Sequence, residues 1–154
     1  MEKIIILNDK QIAQRIRRIA YEIYEANVDE KQVILAGIVG NGYILTQMLA
    51  EQLEVNINKK EPREEITTSI PVSEYKNQSL VLIDDVLHTG TTLIYGVKHF
   101  LDVPLKQFKT VVLVDRNHKR YPIKADYKGI SLSTSLNENV AVKFSEGKAL
   151  ALLE

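Results

Sequence analysis

The 154-residue chain has no cysteine, no tryptophan, four prolines and no excess of either charge. Without cysteine there can be no disulfide, no thiolate metal site and no cysteine nucleophile. Twenty Lys and Arg balance twenty Asp and Glu, so the formal net charge is zero. That sets aside a globally cationic nucleic-acid coat or a polyacidic tail, and leaves room only for local patches. No apolar run approaches the roughly 18 residues needed to cross a bilayer. The amino-terminal MEKIIILNDKQ carries too short an apolar stretch for a secretory signal. Low-complexity segments and internal repeats are missing too. The expectation is one soluble domain over residues 1–154, located in the cytoplasm, with no membrane partner. Apolar residues make up 45% and charged residues 26%, close to globular averages. A chain of this length can bury roughly 68–70% of its unfolded surface, enough for a substantial core.

The apolar pattern alternates between two periods. Asn8 or Asp9 can cap a helix beginning near Gln11, in which Ile12, Ile16, Ile19 and Ile23 recur at three- and four-residue spacing. Val33 to Ile38 is a continuous, β-branched run, the signature of a strand buried on both faces of a parallel sheet. Gly40, Asn41 and Gly42 interrupt it, and Tyr43 to Gln52 reads as a second helix. Glu54 to Ile57 suggests a short strand, and the charged 58–67 stretch reads as a mobile loop. Leu80 to Ile83 and Val111 to Val114 are two further buried strands, separated by a helix from Thr92 to Leu101. Shorter segments at Val140 to Phe144 and Leu150 to Leu153 follow. Strand and helix alternation predicts an α/β fold, with a mainly parallel sheet flanked by helices. Polar clusters then fall at the carboxyl ends of three strands: Gly40–Gly42, Asp84–Thr92 and Asp115–Arg116. Open α/β sheets bind ligands along that edge.

The most informative stretch is LVLIDDVLHTGTT, from Leu80 to Thr92. Two adjacent carboxylates after four apolar residues are costly unless they meet something polar or cationic. Sugar hydroxyls or a hydrated Mg²⁺ would satisfy them. The Thr-Gly-Thr-Thr turn then opens a helix, where unpaired backbone N–H groups and hydroxyls converge into a site suited to a monophosphate. Read without a ligand, the same stretch is only a strand followed by a helix start, with Asp84 and Asp85 solvated.

This stretch closely resembles the phosphoribosyl-pyrophosphate (PRPP) motif of the type I phosphoribosyltransferases. The resemblance implies that Asp84 and Asp85 hold the ribose 2- and 3-hydroxyls, as the catalytic carboxylates. It also implies that Val86, Leu87, His88, Thr89, Gly90, Thr91 and Thr92 bind PRPP around its 5-phosphate. A second run, VVLVDRNHKRYPIKADYKGISLSTS from Val111 to Ser135, is similar to the bifunctional pyrimidine-operon regulators that are also uracil phosphoribosyltransferases. Asp115–Arg116, His118, Pro122–Ile123, Ala125 to Tyr127 and Gly129 carry that match, as do RIRRIAYEIYEAN in the first helix and Ile70 to Val72. The resemblance spans about Ile12 to Val142. It implies a type I phosphoribosyltransferase fold, base contacts from Asp115, Arg116 and Tyr127, and a homodimer or higher homo-oligomer. It further implies Mg²⁺ held mainly by PRPP, with Asp84 and Asp85 as supplementary ligands, and a nucleobase acceptor, most readily uracil.

Two departures stand out. The pyrophosphate loop, with Val39, Gly40, Asn41 and Gly42, lacks the Lys or Arg usual in the subfamily, so Asn41 can offer only a neutral hydrogen bond. The covering hood expected between the second helix and the PRPP strand is reduced to residues 54–77, with Arg63, Lys59 and Lys60 as candidate closing cations. His88 stands where purine-specific relatives usually carry aspartate, which fits the pyrimidine branch. His99 reads as structural. The weakened loop and hood also fit a PRPP- or nucleotide-sensing regulator that binds RNA and turns over little, and a purine phosphoribosyltransferase is the third reading. Little or no RNA attenuation is expected, because basic residues outside the site are interleaved with acidic ones.

Overall fold

The computed structural model describes residues 2–53, 57–61, 67–68 and 70–154. Its elements are β1 (Ile4–Leu7), α1 (Asp9–Ala26), β2 (Val33–Ile38), α2 (Asn41–Leu53), β3 (Ile57–Glu61), β4 (Thr67–Thr68), α3 (Val72–Tyr75), β5 (Ser79–Leu87), α4 (Thr91–Phe100), β6 (Gln107–Asp115), β7 (Tyr127–Ser131), β8 (Val140–Ser145) and β9 (Lys148–Leu153). A six-stranded sheet runs in the order β4-β3-β2-β5-β6-β7, and a separate three-stranded sheet in the order β1-β9-β8. In the larger sheet, β3, β2, β5, β6 and β7 are parallel, and β4 alone is antiparallel.

Local sequence explains the entry to α1. Asn8 Oδ1 accepts from the Gln11 backbone N–H at 2.9 Å, and Gln11 Oε1 accepts from the Asn8 N–H at 2.9 Å. This reciprocal cap satisfies two of the donors left unpaired at a helix start. Ile12, Ile16, Ile19 and Ile23 are buried along one face, as their spacing predicts. The central strands obey the period of two. Val81 and Ile83 pack with the α1 and α2 side chains, whereas Leu80 and Leu82 pack with Tyr75, Leu93 and Phe100 on the opposite face. Tyr75 and Phe100 meet edge-on, with ring centroids 5.3 Å apart. The parallel sheet is therefore covered on both sides, which is why its strands are apolar throughout.

The structure corrects several expectations. The segment read as a loop, residues 58–67, contains most of β3, and β4 starts at Thr67, so this part of the chain extends the main sheet. Lys59 and Lys60 lie on β3, and Arg63 lies outside the described residues. β5 does not stop at Ile83: its ladder to β6 continues through Asp84, Val86 and Leu87. β1 and β7 are additions to the expected strands; β1 has only four residues, and β7, Tyr-Lys-Gly-Ile-Ser, has no continuous apolar run. The β1-β9-β8 sheet stands beside the carboxyl edge of the main sheet. Its Val142 carbonyl accepts a hydrogen bond from Asn41 at the start of α2. Among the described residues no helix is long and apolar enough to cross a membrane.

Candidate functional site

Because β5 continues past Ile83, Asp84 and Asp85 are successive strand residues and turn to opposite faces. Asp84 lines a small cavity of about 50 Å³ together with Val86 to Leu93 and Val112. Asp85 faces the start of α2, where its Oδ2 accepts from Asn41 Nδ2 at 2.9 Å. The two carboxylates thus join two loops, 84–92 and 37–42, at one edge of the sheet. Burial, then the neighbouring Asp85, pushes the Asp84 carboxyl well above the usual carboxylate range, against the opposing bond from the Asp85 N–H. A proton or a cation is the way such a buried carboxyl beside a second one is relieved.

The cavity wall is a turn followed directly by α4. Gly90, the residue capping α4, has φ +87° and no side chain to cap with. The Thr91 N–H makes a long bond of 3.3 Å to Thr89 Oγ1, and the next N–H groups of the first turn are left for an external acceptor. Thr89 Oγ1 and Thr91 Oγ1 lie 2.8 Å apart, and the Thr89 carbonyl accepts from the N–H groups of Arg120 and Tyr121 at 2.8 and 3.2 Å. The turn is consequently pinned from behind, with hydroxyls and N–H groups facing the cavity. It is an anion cradle.

The 37–42 loop is built around glycine for a different reason. A Cβ on Gly42 would stand 2.8 Å from the Ile83 carbonyl oxygen and 3.4 Å from Asp84 Cα, so α2 can approach the end of β5 only with glycine there. The reading of Asn41 as a donor to pyrophosphate is corrected: its amide N–H groups are spent on Asp85 and on the Val142 carbonyl, at 2.9 and 2.7 Å. It anchors Asp85 and β8 instead. Val39 is exposed on the same turn. Replacing Val39 with Lys is expected to raise pyrophosphate affinity roughly tenfold, because an added charge-assisted bond is worth about 1.5–3 kcal/mol. Calorimetry at low and high salt would read the gain and its screening; unchanged affinity would remove this loop from the anion site.

The residues assigned to the base divide. Asp115 is buried against Lys119 and Lys128, 3.6 and 3.5 Å away, and accepts from the Asn117 N–H. It supports its own turn and does not line the cavity. Tyr127 lies at the amino end of β7, opposite Val111, four residues before Ser131 at the carboxyl edge. That places it about 13 Å along the strand from the edge. It lines an outer groove with Arg18, Glu22 and Lys128, where burial, then Asp126 and Glu22, raises its phenol pKa. Tyr127 is corrected from a base contact to a residue of the α1 side. Arg116, by contrast, does reach the site: NH1 lies 2.8 Å from His88 Nδ1. Its remaining contacts are Thr134 Oγ1 at 3.1 Å, Asn139 Oδ1 at 3.4 Å, and the carbonyls of Ser135 and Glu138. Burial, then the Arg116 charge, lowers the His88 pKa, with Asp85 opposing.

The matched run stops at Ser135, and sequence reasoning gave no role to the rest of the 134–139 segment, Thr-Ser-Leu-Asn-Glu-Asn. Its only sequence signal is a polar run between two strands. The described residues contain no cluster of three or more His, Cys, Asp or Glu that could hold a metal. A larger cavity of about 280 Å³, lined by residues of α1 and the end of α2 including Arg17, Tyr21 and Tyr24, shares none of its lining with the anion cradle.

The profile of the phosphoribosyl transferase domain matches residues 5–146. The chain is 34% identical to the bifunctional protein PyrR of Bacillus subtilis, over 94% of this chain and 92% of that protein. It is 33% identical to its counterpart in Clostridium botulinum (strain Alaska E43 / Type E3), over 94% and 91%. Among solved structures, the hypoxanthine phosphoribosyltransferase of Trypanosoma cruzi superposes with a TM-score of 0.80 at 17% identity, covering 96% of this chain and 94% of that one. A hypoxanthine-guanine phosphoribosyltransferase of Bacillus anthracis gives 0.76 at 14% identity, over 88% and 86%. At those identities the two structures speak for the fold alone, and they share a parallel sheet flanked by helices with this chain. With its family profile matched from β1 into β8, the chain belongs to the phosphoribosyl transferase domain family.

Proposed function

We propose that the protein transfers the 5-phosphoribosyl group of PRPP to a nucleobase, with uracil as the preferred acceptor and UMP and pyrophosphate as products. The observation that carries this reading is the junction of Asp84 and Asp85 with the anion cradle of residues 88–92. A carboxylate pair suited to two ribose hydroxyls sits beside a cradle suited to one phosphate. A base nitrogen attacks C1 of PRPP as the bond from C1 to the pyrophosphate oxygen breaks; the bonding electrons leave with pyrophosphate, and the proton of the attacking N–H passes to pyrophosphate or to water. No covalent enzyme intermediate is required, so the chain contributes position and charge stabilisation.

Two carboxylates, with no third acidic or histidine ligand clustered beside them among the described residues, are too few to enclose Mg²⁺. They fit a Mg²⁺ that arrives on PRPP oxygens and water, the shell this ion prefers. When bound, it would neutralise charge on the departing pyrophosphate. Asp84 and Asp85 would orient the ribose, and the N–H groups around Thr89 to Thr92 would hold the 5-phosphate. Uracil is favoured by the PyrR-like run around Asp115 to Ser135 and by His88 in place of the aspartate usual in purine enzymes. A single cytoplasmic domain acting as a homodimer belongs to the same proposal.

A second reading is supported by the 37–42 loop, which carries no cation and whose Asn41 donors are already spent. On that reading the protein senses PRPP or a nucleotide with little turnover. A screen of uracil, hypoxanthine and guanine with PRPP and Mg²⁺, following pyrophosphate release, separates the readings. Uracil-dependent release is the expected result. Faster release with hypoxanthine or guanine would move the protein to the purine branch. PRPP binding without release from any base would leave the sensor.

A further inference from the structure

Arg116 is 7% exposed, and the residues that accept from its side chain, His88, Thr134, Ser135, Glu138 and Asn139, do so through a ring nitrogen, a hydroxyl, an amide oxygen and main-chain carbonyls. No carboxylate oxygen is among these acceptors. The main chain is fixed as well, because the Arg116 N–H donates to the Leu87 carbonyl at 3.1 Å. Both backbone and side chain of this residue therefore brace the chain at 87–88. A guanidinium has donors and no acceptor. With NH1 at 2.8 Å, the His88 Nδ1 must present its lone pair, since a proton there would confront another N–H. The ring is then neutral and carries its hydrogen on Nε2. Among the described residues that Nε2–H has no protein partner, and His88 lines the cavity with Thr89 to Thr92.

We infer that Arg116 is a positioning residue that holds His88 in the neutral Nε2–H tautomer, so that this N–H is offered to an oxygen of the phosphate bound in the 88–92 cradle. The inference rests on the phosphoribosyl reading for the identity of the ligand, but not for the tautomer, which is a property of the free protein. Donation into Nδ1 polarises the ring and strengthens the Nε2 donor. The buried guanidinium also contributes positive potential behind the cradle without touching the anion. Its other acceptors all come from the 134–139 segment, so the orientation of His88 is tied to the segment leading into β8.

The chain has three histidines, so nitrogen NMR of the histidine-labelled protein resolves each ring. The expected spectrum of the free protein has a pyrrole-type Nε2 and a pyridine-type Nδ1 for His88. A protonated Nδ1 in the unmodified protein would overturn the inference. In Arg116→Gln, with the fold checked by its backbone spectrum, His88 should become a mixture of tautomers; an unchanged ring would show that Arg116 does not set it. Should Arg116→Gln fail to fold, a pair of His88 variants decides. His88→Gln places an amide N–H near the Nε2 position and should keep PRPP affinity within a few-fold. His88→Asn places it near Nδ1 and should lose about tenfold, the scale of one hydrogen bond to a charged group. Equal affinity of the two variants overturns the inference. Failure of the unmodified protein to bind PRPP would instead count against the proposed function, with the tautomer still read from the free protein.

Discussion

Asp84→Asn is expected to weaken Mg²⁺-PRPP binding by roughly 10- to 100-fold while making the free protein more stable. The loss follows from removing a charge-assisted acceptor for a ribose hydroxyl, worth about 1.5–3 kcal/mol. The gain has a separate cause. Burial, then Asp85, raises the Asp84 pKa in the folded chain. A carboxyl with a raised folded pKa binds more protons folded than unfolded, so stability falls as pH climbs from the unfolded value of 3.8 through the folded one. Above that window the full penalty of holding the charge remains, and asparagine does not carry it. The variant should therefore melt higher than the original near neutral pH in metal-free buffer, by about 2–4 °C for each kcal/mol relieved. Below about pH 4 the two should converge. Calorimetric titration with PRPP and thermal melts across pH check the two halves independently. Unchanged PRPP affinity would remove Asp84 from the ribose site, and a lower melting point at neutral pH would show that the buried pair is not repulsive.

The second large effect is expected from Gly90→Ala. The position has φ +87°, and a Cβ there would lie 2.7 Å from Ile123 Cγ2. Left-handed backbone costs a non-glycine residue about 1–2 kcal/mol, and overpacking adds about 1–3 kcal/mol. Loss of stability near about 2–4 kcal/mol should accompany loss of phosphate binding, because the turn that aims the α4 N–H groups has to move. Urea unfolding gives the first quantity, and competition between PRPP and inorganic phosphate gives the second. A variant that folds with full stability would mean that the 121–123 turn yields freely. Retained phosphate affinity would mean that α4 does not depend on this turn.

Much of this site is legible in the sequence because its parts are contiguous. Asp84 to Thr92 is one segment, and its chemistry is set by local order: apolar strand, carboxylates, then a Thr-Gly helix start. Ile12, Ile16, Ile19 and Ile23 announce α1 just as plainly, since burial of one helix face leaves a fixed spacing. What cannot be read there are pairings between distant residues. Nothing near Asn41 indicates that its amide would be consumed by Asp85 and Val142. Arg116 resembles a base contact because it follows a strand end, whereas its acceptors lie 18 or more residues away along the chain. Tyr127 is misplaced by the sequence because an aromatic in a matched run says nothing about which end of its strand faces the ligand. β3 is hidden by charge, as Asn58 to Glu61 shows no period of two.

The order in which the chain is synthesised gives the small sheet a consequence of its own. β9 lies between β1 and β8 and pairs with both, so β1 is synthesised long before the strand it pairs with. Until β9 is made, Ile4 to Leu7 lacks the ladder partner it has in the fold. Even in the finished fold its outer edge remains open among the described residues, with Ile4 and Ile5 more than half exposed. The parallel sheet can assemble meanwhile, because β2, β5 and β6 are made well before β9. The Asn41 bond to Val142 forms on a β8 whose ladder partner among the described residues is β9. The active edge is thus completed only once β9 has been made, and a nascent chain arrested before Lys148 would hold a formed phosphate cradle beside an unfinished wall.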